Sequence, residues 1–194
     1  MKNNNQAQPT LDSLLRLMHK KGAVKYGNFT LSSGQESDCY FDGRLISLNP
    51  EGAWQLGQLL LQLILESGLV VSAVGGPTLG ADPLVTAVAM ASWQRSTPLP
   101  AFIIRQSAKS HGLKKIIAGP VPAPKTTVAI VDDTYTTGQS LLWAIAAVEE
   151  IGCQVGLVAV MMDRSGDNGQ VVRERGYKFL SLFSMTENGE IIPT

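Results

Sequence analysis

Four apolar residues at 128–131, Val-Ala-Ile-Val, lead directly into two carboxylates, a hydroxyl-rich turn and an apolar-periodic stretch at 141–151. An unbroken apolar run of that length reads as a strand buried on both faces, and the spacing after it reads as a helix. A strand covered on both faces that hands over to a helix restricts the chain to a parallel sheet layered between helices. It also places chemistry at the strand's carboxyl end. Thr136, Thr137, Gly138 and Ser140 offer hydroxyls and backbone N–H groups at a helix N-terminus, where unpaired donors and the helix dipole favour a phosphate. Asp132 and Asp133 would repel that phosphate. They suit hydrogen bonds from the hydroxyls of an attached sugar, or a hydrated Mg²⁺. The plain alternative is an acidic strand end that caps the next helix; the attached Thr-Tyr-Thr-Thr-Gly favours a pocket for a phosphorylated sugar.

Two other phosphate-binding loops are excluded. Gly75 and Gly80 have the spacing of a Gly-x-x-x-x-Gly-Lys loop but are followed by Ala81-Asp82, and no Gly-x-Gly-x-x-Gly opens a helix after a strand.

The same alternation runs along the rest of the chain. Residues 11–21 carry apolar side chains at helical spacing and end at Gly22, an amphipathic helix that would cover the domain; strands are expected at 24–31 and 38–46, around the turn Ser32-Ser33-Gly34. Helix and hairpin would form a small N-terminal hood. Asn49-Pro50 supplies an N-cap and a first-position proline for a helix reaching Ser67. Strands at 70–74, 101–105, 155–162 and 177–183, with a helix at 83–93, complete an α/β fold: a parallel twisted sheet with helices on both faces. Ligands of such sheets collect at the strands' carboxyl ends. Here those ends carry the loops 75–83, 105–119 and 132–140, and Asp163-Arg164.

With 194 residues and 44% hydrophobic content, a single domain over 11–194 is expected, preceded by a flexible tail over 1–10. That polar start lacks the apolar core of a signal peptide, and no run is long enough for a membrane span. Cys39 and Cys153 lack the spacing of a disulfide framework or metal site and read as buried thiols in a reducing cytoplasm. The net charge is zero, yet no Asp or Glu occurs between 83 and 131, where Arg95, Arg105, Lys109, Lys114, Lys115 and Lys125 lie. Without interleaved aromatics that stretch points to a small anion or to solvent, not to nucleic acid.

Val131-Asp132-Asp133-x-x-Thr136-Thr137-Gly138 after a strand resembles the signature by which type I phosphoribosyltransferases bind phosphoribosyl pyrophosphate (PRPP). Lys25-Tyr-Gly-x-Phe-Thr-Leu-x-Ser-Gly34, Arg105-x-x-Ala-Lys109-x-His111-Gly112 and Asp163-Arg164 narrow the resemblance to the orotate phosphoribosyltransferases, over residues 11–185. The resemblance implies transfer of the 5-phosphoribosyl group from PRPP to orotate, with Mg²⁺ held mainly by PRPP and water, in a cytoplasmic homodimer with shared active sites. It implies that Asp132, Asp133, Thr134, Tyr135, Thr136, Thr137, Gly138, Gln139 and Ser140 bind PRPP, the two carboxylates facing the ribose hydroxyls, and that Thr136 and Arg164 bind orotate. Arg105, Lys109 and His111 would form a lid over the pyrophosphate of the partner subunit's site, with Lys109 and His111 catalytic beside Asp132 and Asp133. Gly75-Gly76-Pro77-Thr78 would approach the pyrophosphate through backbone N–H groups. Gln106 and Ser32 stand where many relatives carry lysine, and Ser165 where they often carry an acid. Two readings compete: a PRPP-binding regulator without catalysis, favoured by the missing cations, and transfer to a purine or uracil, disfavoured by Arg164.

Overall fold

The computed structural model of the chain describes residues 8–30, 36–105 and 116–194. Helix α1 (Leu11–Lys20) and the hairpin β1 (Val24–Thr30) and β2 (Glu36–Phe41) come first, followed by a single helical turn α2 (Arg44–Ser47) and the long helix α3 (Pro50–Glu66). Then come β3 (Ala73–Pro77), α4 (Asp82–Gln94), β4 (Ala101–Ile104), β5 (Ile117–Ala118), β6 (Thr127–Tyr135), α5 (Gln139–Glu150) and β7 (Gln154–Asp163). The chain closes with α6 (Gln170–Arg173), β8 (Lys178–Met185) and β9 (Ile191–Pro193).

Seven strands form the main sheet in the order β5-β4-β3-β6-β7-β8-β9. The inner five are parallel, and β5 and β9 close the two edges antiparallel. Strand β6 lies at the centre, and its apolar run is sorted between two cores by the pleat. Ala129 and Val131 join Leu56, Leu60, Ile64 and Val88 on the α3–α4 side. Val128 and Ile130 join Leu141, Ile145 and Val148 on the α5 side. Both faces are covered, as the unbroken apolar run requires.

The ends of the helices follow their sequence signals. Asn49 Oδ1 accepts the N–H groups of Glu51 and Gly52 at 3.1 and 3.2 Å, and Pro50 opens α3. Thr10, the last residue of the expected tail, caps α1 in a reciprocal capping box with Ser13. Leu14, Leu17 and Met18 of α1 enter the core that also holds Val24 and Phe41, so the hood is packed onto the domain.

Three expectations need correction. The strand expected at 70–74 begins at Ala73 and runs through Gly75-Gly76-Pro77, leaving Val70 90% exposed. Pairing decides this register: Ala73 lies opposite Val128 and Gly75 opposite Ile130. The glycines permit it, because a Cβ at Gly75 would fall 2.1 Å from the Phe102 ring and one at Gly76 2.1 Å from the Val131 carbonyl oxygen. The strand expected at 38–46 stops at Phe41, since Asp42 Oδ1 accepts the Arg44 N–H at 3.1 Å and turns the chain into α2. Strand β6 continues to Tyr135, so Asp132, Asp133, Thr134 and Tyr135 stand on the strand and only 136–138 form the turn. The short elements β5, α6 and β9 carry too few residues for a periodic signal, and none was anticipated.

Helices α3 and α4 meet at Gly57, where an added Cβ would lie 2.5 Å from the Ala87 carbonyl oxygen. Gly57→Ala should therefore cost about 1–3 kcal/mol of stability by forcing the helices apart, read as a lower urea midpoint with an unchanged denaturant slope. An unchanged midpoint would show that the two helices can slide.

Candidate active site

Beyond β3 the chain turns outward through α4 to β4, and beyond β6 it turns the other way through α5 to β7. The carboxyl ends of β3 and β6 therefore border a crevice that no crossover covers, the position where α/β sheets bind ligands. A cleft of about 350 Å³ opens there. Its floor is Asp132, Asp133 and Thr134 from β6 with Ser140 from the first turn of α5, and one wall is the loop Pro77 to Gly80. The opposite walls are Tyr40, Asp42 and Arg44 from the hood side and Arg164 from the end of β7.

The two carboxylates are closely held. Asp132 is 5% exposed; its Oδ1 accepts the Asp133 N–H at 2.9 Å and its Oδ2 the Ser140 hydroxyl at 3.3 Å. Burial, and after it the charge of Asp133, push Asp132 up to about 7. Burial also raises Asp133, against the pull of the Thr134 N–H and the Arg44 guanidinium. Both carboxylates press on Gly80, where a Cβ would stand 2.7 Å from an oxygen of each. Only glycine lets the loop after β3 approach so closely. The peptide bond between Thr78 and Leu79 is cis, and the Thr78 hydroxyl donates to Asp82 Oδ2 at 2.9 Å.

Arg164 borders the cleft at the end of β7. Its N–H donates to the Tyr135 carbonyl at 2.9 Å, tying the end of β7 to the end of β6. Its Nε is buried without a hydrogen-bond partner. The surface salt bridge with Asp163 or Asp167 that a plain reading allows is not formed; among the described residues the ion pair is Arg44 with Asp42, at 3.4 Å. A larger cavity of about 750 Å³ lies on the other side of Arg164, walled by the turn 186–189. It contains neither Asp132 nor Asp133, which line the smaller cleft.

Of the residues singled out from sequence, Asp132, Asp133, Thr134, Ser140 and Arg164 converge on this cleft. Tyr135 points the other way, 1% exposed and tilted against Phe179 with ring centres 5.0 Å apart. Thr136, Thr137 and Gln139 are exposed around the turn into α5, and Gly138 adopts φ +74°, a conformation suited to glycine. Arg105 follows β4, its N–H donating to the Ile116 carbonyl at 2.9 Å, and it does not line the cleft. Lys109, His111, Gln106 and Ser32 lie outside the described residues. Sequence reasoning missed Tyr40, Asp42, Arg44 and Gly80. The Asp42-Gly43 pair is a turn signal that, weighed above the alternation around it, would have ended the strand and exposed Arg44 as a loop cation.

No protein-family model matches the chain. It is 42% identical to the orotate phosphoribosyltransferase of Synechocystis sp. over 163 residues, covering 84% of this chain and 81% of that one. It superimposes with TM-score 0.79 and 35% identity on Mycobacterium tuberculosis orotate phosphoribosyltransferase in complex with Fe(III) dicitrate, covering 94% of this chain and 100% of that one. The same Mycobacterium tuberculosis protein in complex with PRPP gives TM-score 0.73 at 32% identity, over 91% of this chain and 96% of that one. The chain belongs to the orotate phosphoribosyltransferase family. It is an enzyme that transfers the 5-phosphoribosyl group of PRPP to orotate, giving orotidine 5′-monophosphate and pyrophosphate in pyrimidine biosynthesis.

The raised Asp132 has a measurable cost. Between its ordinary value of 3.8 and about 7 the folded state of this phosphoribosyltransferase binds a proton that the unfolded chain has released, so stability falls as pH rises through that window. Asp132→Asn should raise the melting temperature at pH 8 and leave it nearly unchanged at pH 4. Equal shifts at both pH values would sink the assignment of that cost to Asp132.

Proposed function

We propose that PRPP lies across the carboxyl ends of β3 and β6, with orotate held against Arg164. The observation that supports this most is the buried Asp132 beside the half-buried Asp133, with Arg164 lining the same cleft. Ribose 2- and 3-hydroxyls would donate to the two carboxylates and replace the solvent those oxygens lost on folding. The 5-phosphate would sit on Thr136, Thr137, Gly138, Gln139 and Ser140, at the N-terminus of α5, where Leu142 is the first residue to bond back to Gly138. Thr134 lines the floor between the two parts of the ligand; Tyr135 would contribute backbone only, because its ring is buried on the far face.

In the reaction a ring nitrogen of orotate forms a bond to the anomeric carbon while the bond from that carbon to pyrophosphate breaks, and the proton of that nitrogen is released to solvent. Positive charge that develops on the ribose ring would face Asp132 and Asp133, and the negative charge that gathers on pyrophosphate needs cations and N–H donors. Gly75 and Gly76 belong to β3 and the Thr78 N–H is bonded to the Ile104 carbonyl, so the part of that segment bordering the cleft is the turn Thr78 to Gly80, with Arg44 facing the same space. Arg105, Lys109 and His111 complete the proposal as a lid from the partner subunit of a homodimer, with Lys109 and His111 acting on the departing pyrophosphate. The Asp132–Asp133 pair fits a hydrated divalent cation, because a second positive charge relieves the repulsion between them; among the described residues no cluster of three ligating side chains would bind one directly. Mg²⁺ carried by PRPP and water would neutralise the pyrophosphate charge. The reading places the enzyme in the cytoplasm; among the described residues no helix is long and apolar enough to cross a membrane.

Initial rates with PRPP and Mg²⁺ should show consumption of orotate and none of uracil, adenine or hypoxanthine. Arg164→Ala should raise the orotate KM by about 10- to 100-fold, the weight of a charge-assisted pair, and an unchanged KM would remove Arg164 from the orotate site. Lys109→Ala should lower kcat while PRPP still binds; unaltered turnover would refute the lid.

A further inference from the structure

The turn that follows Arg164 is organised around a hydroxyl with no part in the reading above. Asp163 is fully buried, and its Oδ1 accepts three donors: the Ser165 hydroxyl at 2.6 Å, the Ser165 N–H at 3.0 Å and the Gly166 N–H at 3.2 Å. The Ser165 Oγ is also 2.7 Å from Asp167 Oδ1 and accepts the Asp167 N–H at 3.2 Å. Asp167 Oδ1 in turn accepts the Gln170 N–H at 3.1 Å, at the start of α6. The Ser165 Oγ thus lies between the carboxylate before Arg164 and Asp167 after it, donating its one proton to a carboxylate and accepting the Asp167 N–H. Gly166, at φ +69°, brings the chain round so that both acids approach that hydroxyl.

The consequence falls on Arg164. Its backbone is held from one side by the Tyr135 carbonyl and from the other by the ring of bonds through Ser165. Asp163 and Asp167 flank it in sequence, yet neither forms an ion pair with it. Three donors from the turn fix the orientation of the Asp163 carboxylate through Oδ1, while its Oδ2 is buried without a partner and out of ion-pair reach of Arg164, and Asp167 Oδ1 accepts the Gln170 N–H of α6. Arg164 is thereby left to border the cleft with no ion pair and with Nε buried and unpartnered.

We propose that Ser165 is a positioning residue for orotate: by fixing the Asp163 carboxylate and the turn to Asp167 it holds both acids out of ion-pair reach of Arg164 and leaves the Arg164 guanidinium for the carboxylate of the base. The inference rests on the reading of Arg164 as the orotate contact, and the experiment separates the two. KM for orotate and for PRPP, and kcat, are measured on Ser165→Ala, Ser165→Thr, Arg164→Ala and the double variant Arg164→Ala/Ser165→Ala, with melting temperatures alongside. Ser165→Ala is expected to raise the orotate KM about tenfold, as for loss of one charge-assisted hydrogen bond, while the PRPP KM stays within about twofold. Ser165→Thr, which keeps the hydroxyl, is expected to restore most of the orotate KM. In the Arg164→Ala background, Ser165→Ala should add little, since the group it positions is gone.

An orotate KM raised by Arg164→Ala but not by Ser165→Ala overturns this proposal and leaves the reading of the site intact. An orotate KM unmoved by Arg164→Ala overturns both. Equal rises in the two KM values for Ser165→Ala, failure of Ser165→Thr to rescue, or full additivity in the double variant would each overturn the proposal by showing a general loss of local structure.

Discussion

The removal of Asp132 from water is the constraint around which the rest of the protein is arranged. Asp132 extends a strand whose four preceding residues are all fully buried, and it is itself 5% exposed. Burying an ionised carboxylate beside a second one is unfavourable, and the two hydrogen bonds it accepts offset only part of that. What holds it there is hydrophobic burial spread over both faces of the sheet, with α3 and α4 on one side and α5 on the other. The fold's apolar content keeps in place a polar arrangement that would not persist alone, and the strain of that arrangement is relieved when hydroxyl donors or a cation enter.

The reversal of winding at β6 gives the constraint its use. Because the crossovers on either side of the crevice leave in opposite directions, loops from several parts of the chain reach the same two carboxylates without covering them. Gly80 comes from the β3 side, Arg164 from the end of β7, and Tyr40 and Arg44 from the hood. Gly80 is in contact with the acids themselves, so the loop after β3 and the end of β6 are set against each other as one rigid wall. A site built this way is positioned by the sheet, and only the parts that must admit substrate are left to loops.

Much of this was legible in the residues. The unbroken apolar run identified a doubly covered strand, Asn49-Pro50 identified the start of α3, and Asp132, Asp133, Ser140 and Arg164 were placed in one site by their position after strands. The failures have physical causes. The sequence alternates around 38–46, yet the Asp42 side chain competes for the Arg44 N–H and bends the chain, a local contest that periodicity cannot see. Gly75 and Gly76 looked like the end of a strand because they lack side chains, whereas their neighbours Phe102 and Val131 need that empty space to pack. The side to which Tyr135 turns is not given by the pleat: alternation would set it with Val131 and Asp133, yet its ring joins the core of Val128 and Ile130 and packs on Phe179, so periodicity cannot foresee it.

Arg164 also bears on which bases the site would accept. A guanidinium whose Nε is buried and unpartnered carries an unmet hydrogen-bond donor, and a base bearing a carboxylate supplies a planar, two-oxygen acceptor for it. Uracil matches the ring but leaves the donor buried and unpaired, and sites built around such a donor reject the analogue that lacks the acceptor by a factor on the order of 10⁴. Under the proposed reading, discrimination between orotate and uracil needs no bulky gate in the cleft. It follows from keeping one half-buried guanidinium out of ion pairs, although Asp163 and Asp167 lie on either side of it in the chain. An ion pair with either acid would satisfy the guanidinium in advance and weaken that selection, so what the surrounding turn withholds from Arg164 matters to specificity as much as what Arg164 offers to the base.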